Sequence, residues 1–458
     1  MRLFFFILLS IFFCCDTPTH KSEILFKSTP IKNETAREWV EGWLSVQENR
    51  DTESSNIIQL PFILSKVADS LKTLASPILV MSGGPGNGSL HMANGFTRSP
   101  VGFRSDILVM DQRGTSLAKP CLKCPEIDSA RIKGIKNGLY GKPLGDLHNQ
   151  AVKQCYERWT GLGVDLNGYH TLESVQDIED LRSILDIEKL ILYGMSYSCK
   201  LMTAYAQTYP ERVEALILDS PLPHDSHYDE EAYENMASVF ELVLNQYSQK
   251  EDVFTLWSSY IQNIQDSVFT MTLDSIQINY TSNEVIDAAF NLLGDHSSLK
   301  KLPEVVERLM EGNHQDIEEV LESYLRSGRQ AKGMRYSTWI AEELPEEREA
   351  TIERNQTLFP WLKDYPVNDV SFETAKYWKV KSIFDDRKWP DLSFNGPVMI
   401  LSGEFDPWTP VSYGQKMKEK FPQATHMIYP KKTHLPGFTR DGAIDIYEFL
   451  KSKETSKQ

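Results

Sequence analysis

The stretch Lys189-Leu190-Ile191-Leu192-Tyr193-Gly194-Met195-Ser196-Tyr197-Ser198 constrains this chain more than any other. An apolar run stops at a glycine and presents a serine two residues later. It then passes into a segment with helix-compatible spacing through Ala204 and Tyr209. Such a layout predicts a buried strand, a sharp turn and a helix, with the serine hydroxyl held at the top of a sheet. The turn requires small residues on either side, here Gly194 and Ser198. Taken alone the pattern is common, and an ordinary strand-to-helix turn satisfies it. Its meaning depends on the rest of the chain.

Other short apolar runs end in the same abrupt way. Residues 77–81 run into Ser82-Gly83-Gly84-Pro85-Gly86, residues 107–110 into Asp111-Gln112-Arg113-Gly114-Thr115, and residues 215–218 into Asp219. Residues 39–44 and 57–64 read as earlier strands. Val175, Ile178, Leu181 and Leu185 share one helical face, which predicts a helix over 172–185. Apolar strands alternating with helices imply an α/β fold with a mostly parallel sheet covered on both faces. After Pro223 the texture changes to Glu, Lys and Gln with helical spacing, and strand patterns return only at 397–401 and 426–429. The chain therefore divides into a first core part (36–223), a helical lid-like insertion (224–390) and a second core part (391–458).

The N-terminus carries one arginine, about a dozen apolar residues and then Cys14-Cys15-Asp16. That is the size of a secretory leader and too short for a membrane span. Residues 1–15 are thus expected to be a signal peptide of lipoprotein type, with attachment to a membrane through a lipid on Cys15 or Cys14. Residues 16–35 are expected to be a flexible tether. Export to the periplasm or cell envelope would permit disulfides among Cys121, Cys124, Cys155 and Cys199. The formal charge of −16 over 458 residues argues against a nucleic-acid partner. Cys121 and Cys124 have C-x-x-C spacing but no second pair to complete a zinc site, so no metal is implied.

A serine hydroxyl becomes a nucleophile when a histidine accepts its proton and an acid orients that histidine. Downstream of Ser196, Asp406 follows the strand at 398–401 and His434 follows the strand at 427–429. Both sit where loops leave the C-terminal ends of strands. Asp219 is the second candidate acid. Backbone N–H groups for a developing oxyanion are expected from Tyr197, directly after the serine, and from Gly84 in the glycine loop.

Together Gly83-Gly84-Pro85-Gly86, Asp111-Gln112-Arg113-Gly114-Thr115, Gly194-Met195-Ser196-Tyr197, Asp406-Pro407-Trp408-Thr409-Pro410 and His434 resemble the prolyl and tripeptidyl aminopeptidase group of α/β-hydrolases. Glu41-Gly42-Trp43-Leu44-Ser45-Val46-Gln47-Glu48-Asn49-Arg50 is similar to that group's N-terminal strand motif. Glu41 stands where the group has cysteine, Ser198 replaces the elbow glycine, and Thr433 replaces a glycine before the histidine. Ile340 and Ala375 stand in place of two lid cysteines.

The resemblance implies an α/β-hydrolase core with a helical lid and a serine peptidase. It would release short N-terminal pieces of a peptide substrate through an acyl-enzyme on Ser196, without a cofactor. An esterase of the same fold and an inactive binding protein that keeps the fold are the alternatives. The resemblance also implies a disulfide between Cys124 and Cys155, with Cys121 the competing partner and Cys199 a small packed thiol. An aminopeptidase needs a group that measures the distance from the chain terminus. Glu342 and Glu343 are the carboxylates proposed to bind the free amine, against the alternative of a solvated acidic helix end.

Overall fold

The computed structural model describes residues 22–27, 37–139, 141–273, 275–325, 330–384, 389–391 and 394–455. The expected leader, with Cys14 and Cys15, lies outside the described residues. No helix among the described residues is long and apolar enough to cross a membrane. Among the described residues eleven strands follow in chain order: β1 (Glu23–Lys27), β2 (Arg37–Gln47), β3 (Ile57–Val67), β4 (Ile78–Met81), β5 (Ile107–Met110), β6 (Leu190–Met195), β7 (Val213–Asp219), β8 (Phe269–Leu273), β9 (Ile276–Tyr280), β10 (Val398–Gly403) and β11 (Thr425–Tyr429). Nine of them form one sheet in the order β1-β2-β3-β5-β4-β6-β7-β10-β11. From β5 onward every pairing is parallel, whereas β1, β2 and β3 add on antiparallel.

The unbroken apolar runs of the central strands have a simple cause. Leu79, Met81, Leu108, Met110, Leu192 and Leu216 enter one core, and Ile78, Val80, Ile107, Val109, Ile191 and Ile217 enter another. Alternate residues therefore feed opposite faces, and both faces are covered. Helices Thr171–Ile184 and Tyr197–Thr208 close the first face through Val175, Ile178, Leu181 and Leu201. Helix Arg440–Thr455 closes the second through Ala443, Ile446 and Leu450.

Two expectations need correction. The stretch expected to be a tether supplies a strand: β1 pairs with β2 from Glu23 opposite Ser45 to Lys27 opposite Glu41. Within that mostly polar stretch Ile24-Leu25-Phe26 is an apolar run, and β2 offers it free N–H and C=O groups to pair with. The insertion is also not wholly helical, because β8 and β9 form an antiparallel hairpin within it. Phe269, Met271 and Leu273 alternate with threonines, a period-two pattern that the helical reading passed over. The helices of the insertion build their own core around Phe240, Trp257, Phe290, Leu293 and Trp361, into which the core loop residue Phe405 also packs.

Candidate active site

Sheet order by itself brings the candidate residues together. Ser82 to Gly86 follow β4, Ser196 follows β6, Asp219 ends β7, Asp406 follows β10 and His434 follows β11. These strands lie side by side, so their C-terminal loops share one rim. Ser196 sits at the turn with φ 55 and ψ −123, a strained conformation for a residue with a Cβ, immediately before helix Tyr197–Thr208. The turn is pinned by its backbone: Ser196 N–H donates to the Asp219 carbonyl (3.0 Å), and Cys199 N–H to the Ser196 carbonyl (3.0 Å).

The small residues of the turn have separate reasons. A Cβ on Gly194 would lie 2.8 Å from Cys199 Cα, so only glycine fits. Ser198, in place of the usual glycine, uses its hydroxyl: Oγ donates to the Met81 carbonyl (2.6 Å) and accepts from Met195 N–H (2.7 Å). It thereby stitches the end of β4 to the turn. A Cβ on Gly83 would lie 2.6 Å from the Met195 carbonyl, 2.9 Å from Ser196 Cβ and 3.2 Å from the Tyr197 nitrogen. The missing side chain lets the glycine loop lie directly against the serine.

Asp406 is fully buried and fully used. Oδ1 accepts from Trp408 N–H (3.1 Å) and Thr409 N–H (3.0 Å), and Oδ2 accepts from the Thr409 hydroxyl (2.8 Å) and from His434 Nδ1 (2.8 Å). Burial pushes this carboxyl up, but His434 and the donors around it win and hold it below the ordinary aspartate value. Burial likewise works against a charged His434, yet Asp406 outweighs it and raises the imidazole above its ordinary value. With Nδ1 committed to Asp406, the other ring nitrogen is the one left for proton transfer.

Loops on both sides hold the histidine. Leu435 N–H donates to the Ser220 hydroxyl (2.9 Å) and Gly437 N–H to Asp219 Oδ1 (3.2 Å). From the insertion, His296 Nδ1 accepts from Thr433 N–H (3.2 Å). Asp219, the second candidate acid, is committed elsewhere: Tyr193 O–H donates to its Oδ2 (2.8 Å), and burial lifts its pKa to about 7.

A cavity of about 1710 Å³ opens above this rim. Ser196, Gly83, Gly84 and His434 line it, together with Tyr228, Asp287, Arg335 and Trp339 of the insertion. The volume exceeds the roughly 300–1,000 Å³ of ordinary small-molecule pockets. A further wall comes from helices Pro125–Lys136 and Gly141–Gly161, which the Cys124–Cys155 disulfide joins. Cys121 is a half-buried free thiol and Cys199 a buried one.

The structure does not bring Glu342 and Glu343 to the cavity, and this corrects their proposed role. Both are buried, and both face Lys200 on the helix after Ser196, at 3.2 Å from Glu342 and in a short contact with Glu343. Glu342 also accepts from Thr171 N–H (2.5 Å) and the Thr171 hydroxyl (2.7 Å). A buried charge needs a paired partner, and these carboxylates found theirs inward.

The Asp-Gln-Arg-Gly and Glu-Asn-Arg stretches, legible only as resemblances, meet at one point. Arg113 is wholly buried, paired with Asp177 at 2.7 Å and donating to the Glu48 carbonyl (2.5 Å) and the Gly168 carbonyl (2.5 Å). Arg50 joins the same carboxylates, at 2.6 Å from Glu173 and 2.8 Å from Asp177. Next to Arg113, Gln112 Nε2 donates to the Ser82 carbonyl (3.0 Å), and Asp111 accepts from Ser89 N–H (2.6 Å) and Leu90 N–H (3.1 Å). These residues support the glycine loop from below and do not touch the cavity.

A strained serine at a strand-to-helix turn, a buried aspartate on a histidine, and a parallel sheet that collects them describe a hydrolase fold. Residues 76–441 match the model of the alpha/beta hydrolase fold family, and the chain belongs to that family. It is 20% identical over 416 residues to a putative hydrolase of Escherichia coli, covering 85% of this chain and 81% of that protein. It is 28% identical over 219 residues to a serine protease of Mycobacterium tuberculosis, covering 45% of this chain and 40% of that protein. With a proline iminopeptidase of Neisseria meningitidis it shares 30% identity over 142 residues, 31% of each chain.

Proposed function

We propose that this protein is a serine peptidase of aminopeptidase type, with Ser196, His434 and Asp406 as its catalytic residues. The observation that carries the reading is the 2.8 Å contact between Asp406 and His434 beside a cavity that Ser196 also lines. In the reaction, Ser196 Oγ attacks the carbonyl carbon of the scissile bond while His434 takes its proton. Asp406 holds the imidazole in the required tautomer and stabilises the imidazolium. The oxyanion lies toward the N–H groups of Tyr197 and Gly84. As the intermediate collapses, His434 gives the proton to the leaving amine, and the acyl-enzyme on Ser196 remains. Water activated by His434 then releases the acid. The relatives named serine protease and proline iminopeptidase support a peptide substrate.

Insertion residues supply one wall of the cavity, which suits an enzyme that works from a chain end. With Glu342 and Glu343 turned inward, the free α-amino group is assigned to Asp287, one of several carboxylates that line the cavity. It lines the cavity, one oxygen accepts from the Tyr365 hydroxyl (2.8 Å), and burial followed by the neighbouring Glu284 lifts its pKa to about 7. The leader at residues 1–15 would carry the enzyme into the cell envelope. The test compares matched peptides with free and acetylated N-termini on wild type, Ser196→Ala and Asp287→Asn. Wild type should prefer the free amine, Ser196→Ala should lose turnover of both, and Asp287→Asn should lose the preference through a raised KM. Equal cleavage of both peptides by wild type would rule out an aminopeptidase, and hydrolysis of acyl esters alone would favour an esterase.

A further inference from the structure

The insertion touches the catalytic rim in a way that a cover alone would not need. Its helix Lys332–Glu342 spans the two segments expected to supply the oxyanion donors. At the start of this helix, Arg335 Nη1 donates to the Gly84 carbonyl (2.9 Å), Ala331 N–H to the Gly86 carbonyl (2.9 Å), and Gln330 Nε2 to the Pro85 carbonyl (2.8 Å). A Cβ on Gly86 would lie 2.9 Å from the Ala331 carbonyl, so the loop and the helix are packed backbone against backbone. Arg335 is itself fixed by Asp369 (2.7 Å) and Asn368 (2.6 Å).

At its end, Glu342 grips Thr171 through two hydrogen bonds, and the Thr171 hydroxyl contacts the Tyr197 hydroxyl at 2.6 Å. Lys200, one turn beyond Tyr197, ties the same helix end to Glu342 and Glu343. Tyr197 is buried, with its hydroxyl held at Thr171, and its backbone N–H belongs to the peptide that follows Ser196.

We infer that helix Lys332–Glu342 sets the spacing between the two halves of the oxyanion hole, with Arg335 and Glu342 as positioning residues at its ends. Neither touches the reacting atoms through this role. Arg335 acts through the Gly84 carbonyl, on the peptide next to the donor N–H, and Glu342 through Thr171 and the Tyr197 hydroxyl. An oxyanion hole works because its donors are already in place when charge develops, so a frame that holds both halves acts on the transition state and not on substrate affinity. The inference rests on the serine-hydrolase reading above.

The experiment uses the full-length protein and three variants: Tyr197→Phe, which keeps the backbone N–H and removes the hydroxyl tie, Glu342→Ala, and Arg335→Lys. Each is assayed for kcat, KM, the pH profile of kcat/KM, and inhibition by a peptide aldehyde, which forms a tetrahedral adduct on the serine. Losing a whole oxyanion donor costs about 100- to 1,000-fold in kcat, so a displaced donor should cost roughly 10- to 100-fold. KM for a peptide should stay within about threefold in Tyr197→Phe and Glu342→Ala, and aldehyde affinity should fall in step with kcat/KM. The pH midpoint, which reports His434, should not move. Unchanged kcat and aldehyde affinity in Tyr197→Phe, with or without a lower melting temperature, would overturn the inference. Should Glu342→Ala fail to fold, Tyr197→Phe still decides, since it removes a single oxygen. Ser196→Ala serves as the reference: if it keeps full activity the hydrolase reading has failed, and if it is dead while the frame variants are unimpaired only the present inference has failed.

Discussion

Substituting Gly83 by alanine tests how tightly the glycine loop must meet the serine. Gly83 has an ordinary backbone conformation, so alanine brings no torsional penalty and the effect is steric. Its new methyl would lie 2.6 Å from the Met195 carbonyl and 2.9 Å from Ser196 Cβ, whereas ordinary contact begins at 3.4 Å. One side must retreat by about 0.8 Å in a close-packed interior that transmits such strain. The turn has little freedom to move, because Ser196 N–H is held by the Asp219 carbonyl and the Ser198 hydroxyl bridges to Met81. Overpacking of this kind costs about 1–3 kcal/mol of stability. A misplacement near 1 Å costs about 100-fold in rate, so Gly83→Ala should lose roughly 10- to 100-fold in kcat. The assay pairs steady-state turnover of a chromogenic peptide with thermal unfolding. Gly161→Ala is the control, since a Cβ there meets nothing within 4 Å. Wild-type kcat and melting temperature in Gly83→Ala would refute the claimed contact between the loop and the serine.

Three further outcomes are expected. Because Asp406 raises His434, kcat/KM should fall on acidification with a midpoint above 6.5, and Asp406→Asn should move that midpoint down while lowering the rate. In stability the raised histidine contributes below about 6.5 and loses that contribution as pH rises through its folded value. The depressed Asp406 contributes above about 3.9 and loses it as pH falls, so chemical denaturation should show the pair helping most between those limits. Replacing Cys155 by serine should destabilise the protein by about 3–4 kcal/mol, read from urea melts with and without reductant, since the bond joins cysteines 31 positions apart in the chain. Arg113→Met should cost about 3–5 kcal/mol in the same melts because it removes one of the two cations of Asp177 and the donor to the Glu48 and Gly168 carbonyls, and a loss under 1 kcal/mol would contradict the hub.

Much of the fold was legible because its signals are local. Strands β4 to β7 announce themselves as continuous apolar runs, since a parallel strand buried on both faces has no polar side to show. The turn at Ser196 was legible because its small neighbours answer to atoms within a few residues, such as Cys199 behind Gly194. The order of Ser196, Asp406 and His434 could be read along the chain because strand ends are visible there, although their meeting on one rim follows from the sheet order. What the chain could not disclose are partners separated by long stretches of sequence. Glu342 and Glu343 read as an exposed acidic helix end or as an amine ruler, and Lys200, 143 residues before Glu343, decides against both. Arg113 likewise looks like part of a loop motif until Asp177, 64 residues later, shows it to be a buried pillar. The strand at Glu23–Lys27 exists because β2 offers it an edge. Periodicity records which side of a local element meets apolar surroundings, but it carries nothing about which distant charge satisfies a buried one. That choice is made by desolvation and Coulomb attraction once the sheet has closed, and only the tertiary structure records it.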